Sequence, residues 1–223
     1  MKIVVAEEAG FCFGVKRALK LINEYQRQGK KIQTFGPLIH NIPVLNDLAA
    51  KGVGYAASLA EIDKDKTLCI STHGLSRESE RRLRRKGVPT LDATCPLVKK
   101  GQKIIEQLGK AKSRVLLVGD KDHPEIIAAR SYAGNVKIIN SLAEARALPR
   151  SREIHVVAQT TLNTGFFKEV VAVLIGKTEK LHVFNTICQA TQDRQEAMKR
   201  LAPAVDAIIV IGSKISSNTQ KLF

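Results

Sequence analysis

The chain has 223 residues, a formal net charge of +15 and a hydrophobic content of 44%. This length can bury a substantial core, and the apolar runs are far shorter than the roughly 20 residues that cross a bilayer. The charge admits anionic partners, but only 4% of the residues are aromatic and none is Trp, so the composition disfavours a nucleic-acid surface built on base stacking.

The N-terminal segment lacks the features of a secretion signal. It begins MKIVVAEEAG, in which one Lys and a short apolar run precede two glutamates. The four cysteines have no close paired spacing, which disfavours a disulfide framework and favours a reducing compartment. We therefore expect a cytoplasmic protein with no membrane partner, and we expect residues 1–12 to contribute an N-terminal strand.

Three cysteines occupy equivalent positions in a repeated pattern. Cys12, Cys95 and Cys188 each follow a short extended run and precede a helical pattern, and Pro96 suits the first turn of such a helix. A glycine that ends an apolar strand lies 24 residues after each cysteine, and a polar residue lies 28 residues after it. These glycines and polar residues are Gly36, Gly119, Gly212, His40, His123 and Ser216. Equal offsets in three places predict three copies of one strand–cysteine–helix–strand–loop unit.

The order of elements within each copy is typical of an α/β protein. Short strands alternate with helical stretches, which predicts parallel sheets. The predicted units are 13–95, 96–187 and 188–223, joined by the N-terminal strand 1–12. The first two repeats run 83 and 93 residues and the third 36, so about 47–57 residues would be needed to match them. We therefore expect three similar α/β units around a pseudo-threefold centre, with a truncated third unit and impaired activity.

Polar side chains follow several of the predicted strands. In parallel sheets, ligands collect beyond the carboxyl ends of the strands, so these side chains are predicted to converge on an anion rich in oxygen, such as a diphosphate. Glu125 is the one carboxylate beside this set. A carboxylate in a dry pocket has a raised pKa, which suits a proton donor. The polar residues of these loops are His40, His73, His123, Thr160, Ser216, Ser217 and Asn218.

The three repeated cysteines predict a metal centre. Zinc usually takes local cysteine pairs and four protein ligands, whereas Cys12, Cys95 and Cys188 are widely separated and no fourth cysteine shares their pattern. An iron–sulfur cluster with three protein ligands fits better. Cys69 lies inside an apolar strand and is predicted to belong to the core.

Two other classes of function remain open at this point. The first is a zinc-dependent hydrolase or deaminase that uses His123 and Glu125, because residues 123–125 match the H-x-E of zinc deaminases, although the P-C-x-x-C that should follow is absent. The second is a non-catalytic module that binds a phosphorylated ligand or RNA through its positive charge. The wide cysteine spacing disfavours the first class, and the scarcity of aromatic residues disfavours the second.

The ordered motifs resemble those of the 4-hydroxy-3-methylbut-2-enyl diphosphate reductase family, which completes the non-mevalonate isoprenoid pathway. The resemblance extends over nearly the whole chain. Its matching stretches are 9–15, 36–41, 72–74, 92–98, 123–125, 159–161, 185–188 and 216–218.

The resemblance implies a function and a set of roles. The reaction would be the reductive dehydroxylation of 4-hydroxy-3-methylbut-2-enyl diphosphate to isopentenyl and dimethylallyl diphosphate. Glu125 would deliver protons, with Thr160 near the substrate hydroxyl and His123 beside them. A ferredoxin or flavodoxin would supply electrons, and such acidic proteins are attracted to a basic surface. One [4Fe–4S] cluster would be held by Cys12, Cys95 and Cys188, and the diphosphate by His40, His73, His123, Ser216, Ser217 and Asn218.

Overall fold

The computed structural model describes residues 2–222 and shows an α/β protein built on two parallel sheets. The first group of elements is α1 (Phe13–Arg27), β1 (Ile32–Phe35), α2 (Ile42–Ala50), β2 (Gly54–Ala56), β3 (Thr67–Ile70), α3 (Arg77–Arg85) and β4 (Thr90–Asp92). The second is α4 (Pro96–Lys110), β5 (Val115–Val118), α5 (Pro124–Arg130), β6 (Val136–Ile139), α6 (Leu142–Arg146), β7 (Ser151–Ala158), α7 (Thr164–Ile175) and β8 (Thr178–Phe184). The last is α8 (Gln189–Leu201), a 3₁₀ turn (Ala202–Ala204) and α9 (Ser217–Gln220).

The two sheets repeat one topology. The first has the strand order β2-β1-β3-β4 and the second β6-β5-β7-β8, and every neighbouring pair is parallel. In both sheets the first strand of the unit lies second in the order, and the last strand forms an edge. The predicted repetition of parallel α/β units is therefore confirmed.

Local sequence explains where the strands and helices form. All four residues of β5, Val-Leu-Leu-Val, are buried, as expected of a central strand covered by helices on both faces. The side chains of Asn41, Ser76 and Asn163 each accept a hydrogen bond from the backbone N–H three residues later, which fixes the first turns of α2, α3 and α7. No helix in residues 2–222 is both long enough and apolar enough to cross a bilayer.

The cores lie on both faces of each sheet. Alternate residues of β7 point to opposite sides, so Ile154 and Val156 pack with α6 and α7, whereas Val157 packs with α4 and α5. The first sheet is covered in the same way, with Cys69 on one face and Leu68 on the other. This packing holds the carboxyl ends of the strands, and the loops that follow them, on a rigid base.

Two apolar segments that were predicted to be strands are not strands. Residues 2–12 and the run from Ala207 to Ile211 contain no strand, so both predictions were wrong. A strand needs a neighbour for its backbone hydrogen bonds, and within residues 2–222 neither segment pairs with one. Their apolar side chains are exposed, to 75% for Val5 and 94% for Ile211. The predicted ranges 1–12 and 188–223 also include Met1 and Phe223, which lie outside the described residues.

Candidate active site

Each of the three repeated cysteines immediately precedes a helix. Cys12, Cys95 and Cys188 are the N-cap residues of α1, α4 and α8. All three are partly buried. The N–H of Cys95 donates to the carbonyl of Thr72 over 3.0 Å, and the N–H of Cys188 donates to that of Thr160 over 2.9 Å. Each of these two cysteines is therefore held against the loop that follows the third strand, in chain order, of the sheet that precedes it.

The sulfurs of Cys95 and Cys12 lie beside Gly14, and the thiol of Cys188 is near enough to affect that of Cys95. A Cβ atom added to Gly14 would lie 2.8 Å from Sγ of Cys95 and 3.9 Å from Sγ of Cys12. Burial raises the pKa of the Cys95 thiol, the neighbouring thiols of Cys12 and Cys188 raise it further, and N–H groups in the first turn of α4 oppose the rise. Three neighbouring thiols at helix N-termini suit a centre with thiolate ligands, because the positive ends of the helices stabilise negatively charged sulfur.

The three sulfurs are spaced more widely than the ligands of a single metal ion. Among the described residues, these three sulfurs do not all lie within 4.8 Å of one another. One zinc ion would draw its thiolates closer, because Zn–S bonds are about 2.3 Å long. The donor set therefore fits a larger cofactor with thiolate ligands.

Cys69 behaves differently from the other cysteines. It lies in β3 with no exposed surface and packs in the core with Ile32 and Leu91. Burial raises the pKa of its thiol to about 12, so it is not a thiolate ligand at neutral pH. The prediction that Cys69 belongs to the core is confirmed.

Three histidines meet beyond the carboxyl ends of β1, β3 and β5. The ring centroids of His40 and His73 are 4.6 Å apart, and His123 lies 5.5 Å from His40 and 5.4 Å from His73. Burial lowers the pKa of His73 to about 3, lowers that of His123 to about 4, and also lowers that of His40. Nε2 of His40 is buried without a hydrogen-bond partner. The three neutral rings therefore form a polar pocket in which an anion would supply the missing partner.

His123 and Glu125 are oriented by the start of α5. Nδ1 of His123 accepts the N–H of Glu125 over 3.2 Å, which leaves Nε2 as the ring atom that can donate a proton. The carboxylate of Glu125 accepts both the N–H and the hydroxyl of Thr160, over 2.7 Å and 2.6 Å. Burial raises the pKa of Glu125 although both bonds from Thr160 oppose the rise. Glu125 and Thr160 thus form a buried pair in which the raised pKa of Glu125 favours the protonated carboxyl group.

The short helix α9 lies against the second unit and beside one cysteine. The hydroxyl of Ser217 is 2.9 Å from that of Thr161, and Ser216 caps the helix. The hydroxyl of Thr191 donates to Oδ1 of Asn218 over 3.0 Å and lies 2.9 Å from Sγ of Cys188. The predicted residues 216–218 are therefore linked to both the threonine loop and the cysteine.

Sequence reasoning missed three residues that adjoin these groups. Thr191 bridges Cys188 and Asn218, Gly14 leaves room beside the thiols, and the charge of Lys221 lowers the pKa of His123. The equivalent positions in the other repeats hold no polar residue. The equal spacing that identified the histidines therefore gave no signal for these three residues.

Comparison with known proteins gives a consistent result over the full chain. Residues 3–223 match the family model described as LytB protein. A 4-hydroxy-3-methylbut-2-enyl diphosphate reductase from Thermoanaerobacter sp. (strain X514) is 45% identical over 231 aligned residues, covering 100% of this chain and 79% of that protein. The protein of the same name from Aquifex aeolicus is 42% identical and covers 99% of this chain and 78% of its own length.

Two solved structures resemble the fold. One, of an (E)-4-hydroxy-3-methyl-but-2-enyl diphosphate reductase called the terminal enzyme of the non-mevalonate pathway, superposes with a TM-score of 0.79 at 42% identity, covering 99% of this chain and 80% of that one. The other, an E-1-hydroxy-2-methyl-but-2-enyl-4-diphosphate reductase from Plasmodium falciparum, gives a TM-score of 0.89 at 29% identity and covers 96% of this chain and 69% of its own.

Proposed function

The chain belongs to the LytB protein family, and we propose that it reduces 4-hydroxy-3-methylbut-2-enyl diphosphate to isopentenyl and dimethylallyl diphosphate. The substrate takes up two electrons and two protons, its C–O bond breaks, and water leaves. The observation that carries the proposal is the buried pair of Glu125 and Thr160 next to three neutral histidines. This arrangement combines a proton donor with an anion pocket. The relatives give no support to the alternative of a zinc-dependent hydrolase.

One [4Fe–4S] cluster held by Cys12, Cys95 and Cys188 is the cofactor that we propose. Support comes from the three thiols at helix N-termini and from the space that the missing side chain of Gly14 leaves beside two of them. When bound, such a cluster would supply electrons and a Lewis-acidic iron. With Cys188 as a thiolate, the hydroxyl of Thr191, 2.9 Å from its Sγ, would turn its one proton to the sulfur instead of to Oδ1 of Asn218.

The diphosphate is proposed to bind between the histidine loops and α9. His123 can donate from Nε2 because its Nδ1 is already engaged, and the unpartnered Nε2 of His40 supports the same orientation toward an anion. An anion near these rings raises their pKa, so binding is coupled to proton uptake. The residues proposed to hold the diphosphate are His40, His73, His123, Thr160, Ser216, Ser217 and Asn218.

Protons are proposed to reach the substrate through Glu125 and Thr160. The hydroxyl oxygen of Thr160 is 2.6 Å from Oε2 of Glu125. Once protonated, Glu125 can donate to this oxygen while the hydroxyl donates its own proton onward to the substrate. His123 precedes Glu125 by two residues and completes the catalytic set. Burial of all three excludes water that would compete for these hydrogen bonds.

Two further features of the proposal concern electron supply and domain organisation. A ferredoxin or flavodoxin is the proposed donor, because small acidic proteins are attracted by a net charge of +15.

The proposed units are 13–95, 96–187 and 188–223, and the two complete sheets within residues 32–184 support the first two boundaries.

The experiment that tests the cofactor is iron analysis of four serine variants. After anaerobic purification, Cys12→Ser, Cys95→Ser and Cys188→Ser should lose most bound iron and the brown colour, whereas Cys69→Ser should keep both. Turnover of 4-hydroxy-3-methylbut-2-enyl diphosphate with a chemical reductant tests the reaction in the unchanged chain. Equal iron loss in all four variants would contradict the ligand assignment.

A further inference from the structure

A second cluster of side chains lies on the strand pair β7–β8. Glu153 and His155 are two residues apart in β7, so their side chains leave the same face of the sheet. His182 in β8 is the direct partner of His155 in the parallel register. The three side chains therefore share one patch of the sheet, at its edge strand, and none of them takes part in the proposed active site.

Their ligand atoms lie close together. Nε2 of His182 is 2.7 Å from Oε1 of Glu153, and Nε2 of His155 is 3.8 Å from the same oxygen. The two imidazole rings stack with centroids 4.4 Å apart and planes 7° from parallel. One nitrogen from each ring and the carboxylate oxygen all lie within 4.8 Å of one another.

The environment of His155 holds this ring in place. It is 8% exposed and lies above Phe184, with ring centroids 6.3 Å apart. Its Nδ1 is buried without a hydrogen-bond partner. Its Nε2 faces Oε1 of Glu153 over 3.8 Å, and with the ring proton on Nδ1 this nitrogen offers its lone pair to an ion.

We propose that Glu153, His155 and His182 form a binding site for a divalent transition-metal ion of the zinc type. Two imidazoles and one carboxylate are the protein ligands of many zinc sites, and the fourth position is left to water. Imidazole nitrogen suits Zn²⁺, Ni²⁺ and Cu²⁺, whereas Mg²⁺ and Ca²⁺ require oxygen ligands. The ion would replace the hydrogen bond between Nε2 of His182 and Oε1 of Glu153.

The site also has a consequence for the fold. It joins β7 to β8, the edge strand of the second sheet. The three ligands come together only when these two strands pair, so the site exists only in the folded chain. An ion that binds only the folded state stabilises it. Lys180 faces Glu153 in the register, and its positive charge opposes a cation there, so Lys180→Met should strengthen binding.

The test is a Zn²⁺ titration of the cluster-loaded protein by calorimetry, under anaerobic conditions and with the visible spectrum monitored. The unchanged chain should bind one more equivalent of Zn²⁺ than His182→Asn, or bind that equivalent at least about tenfold more tightly. The loss of even an outer partner of a metal site costs about 10–100-fold in affinity. Glu179→Gln, an exposed carboxylate change in the same strand, should leave the titration unchanged. His73→Asn should keep the equivalent that His182→Asn loses, which separates this site from the three histidines of the active site.

A crystal soaked in zinc chloride provides a second, independent readout. Anomalous scattering at the zinc edge should show a peak about 2.0–2.2 Å from the three side chains, and Mg²⁺ at the same concentration should not displace it. Equal stoichiometry and affinity in the unchanged chain and His182→Asn, or the lack of a peak at this position, would overturn the proposal. Either result is independent of the reductase activity.

Discussion

Glu125 is a buried carboxylate whose two oxygens are both bonded to Thr160. Glu125→Gln keeps its shape and one hydrogen-bonding oxygen but removes the transferable proton. Because a positioned acid contributes about 10²–10⁴-fold in rate, turnover should fall by a factor in that range, while iron content and pyrophosphate affinity stay near those of the unchanged chain. Steady-state kinetics with a chemical reductant measure the effect. Glu169→Gln, on the exposed side of α7, is the matched control, and near-normal turnover in Glu125→Gln would contradict the role.

Gly14 and Gly101 are helical glycines in very different surroundings. A Cβ at Gly14 would lie 2.8 Å from Sγ of Cys95, whereas a Cβ at Gly101 would meet nothing within 4 Å. Gly14→Ala should therefore lower the iron content by displacing a thiol. Gly101→Ala should keep the iron and stabilise α4 by up to about 1 kcal/mol. Iron analysis and thermal unfolding compare the two variants, and equal iron content in both would show that the cysteines do not need this space.

The three clustered histidines give a prediction for pH. The pKa values of His73 and His123, about 3 and about 4, make both rings neutral at pH 7 before a ligand binds. A bound anion raises these pKa values, so protons are taken up on binding and the affinity for pyrophosphate should increase as the pH falls from 8 to 6. Calorimetry in buffers of different ionisation enthalpy counts the protons. His73→Asn should take up fewer protons than the unchanged chain, and the same count in both would refute the coupling.

At the level of the element, the second sheet depends on one densely packed face. Ile154 in β7 is fully buried among residues of α6 and α7, whereas Ile175 at the end of α7 is 65% exposed. Ile154→Ala should cost about 2–5 kcal/mol of unfolding free energy because it leaves a cavity. Ile175→Ala, the same chemical change at the surface, should stay within about 0.5 kcal/mol. Denaturant unfolding monitored by circular dichroism distinguishes them, and similar losses would mean that this face is not the main core.

Strands were predictable where the chain itself supplies their neighbours. The runs that became β3, β5 and β7 are apolar, end in polar loops and lie between two other strands, so periodicity and position agree. The run from Ala207 to Ile211 has the same composition but no hydrogen-bonded neighbour within residues 2–222. The composition of a segment indicates whether it can form a strand. Whether it does so also depends on a neighbouring strand, which the composition of the segment does not reveal.

The site was predictable to a similar extent. Equal spacing after each cysteine pointed to His40 and His123, because repetition places equivalent residues at equivalent strand ends. Contacts that occur once cannot be found in this way. The bond between Thr191 and Cys188 joins residues of one helix turn, and the group around His155 depends on the register of β8 against β7. Such contacts follow from the packing of particular strands and helices, which only the three-dimensional structure specifies.

For the whole molecule, charge and exposed apolar surface act in opposite directions. A net charge of +15 keeps copies of the chain apart, whereas Ile209 and Ile211, 85% and 94% exposed, favour association. Salt shortens the range of the repulsion from about 10 Å at 0.1 M to about 3 Å at 1 M and leaves the apolar attraction in place. Light scattering should therefore show that self-association increases with ionic strength.

A double variant separates the two contributions. Ile209→Thr combined with Ile211→Thr removes apolar surface without changing the charge, so association at high salt should decrease, while Ile175→Thr, a single exposed isoleucine on α7, should leave it unchanged. An identical salt response in the unchanged chain and the double variant would assign the association to another surface. If the response disappears, the segment from Ala207 to Ile211 is the surface through which copies meet, and the positive charge is what keeps them apart at low ionic strength.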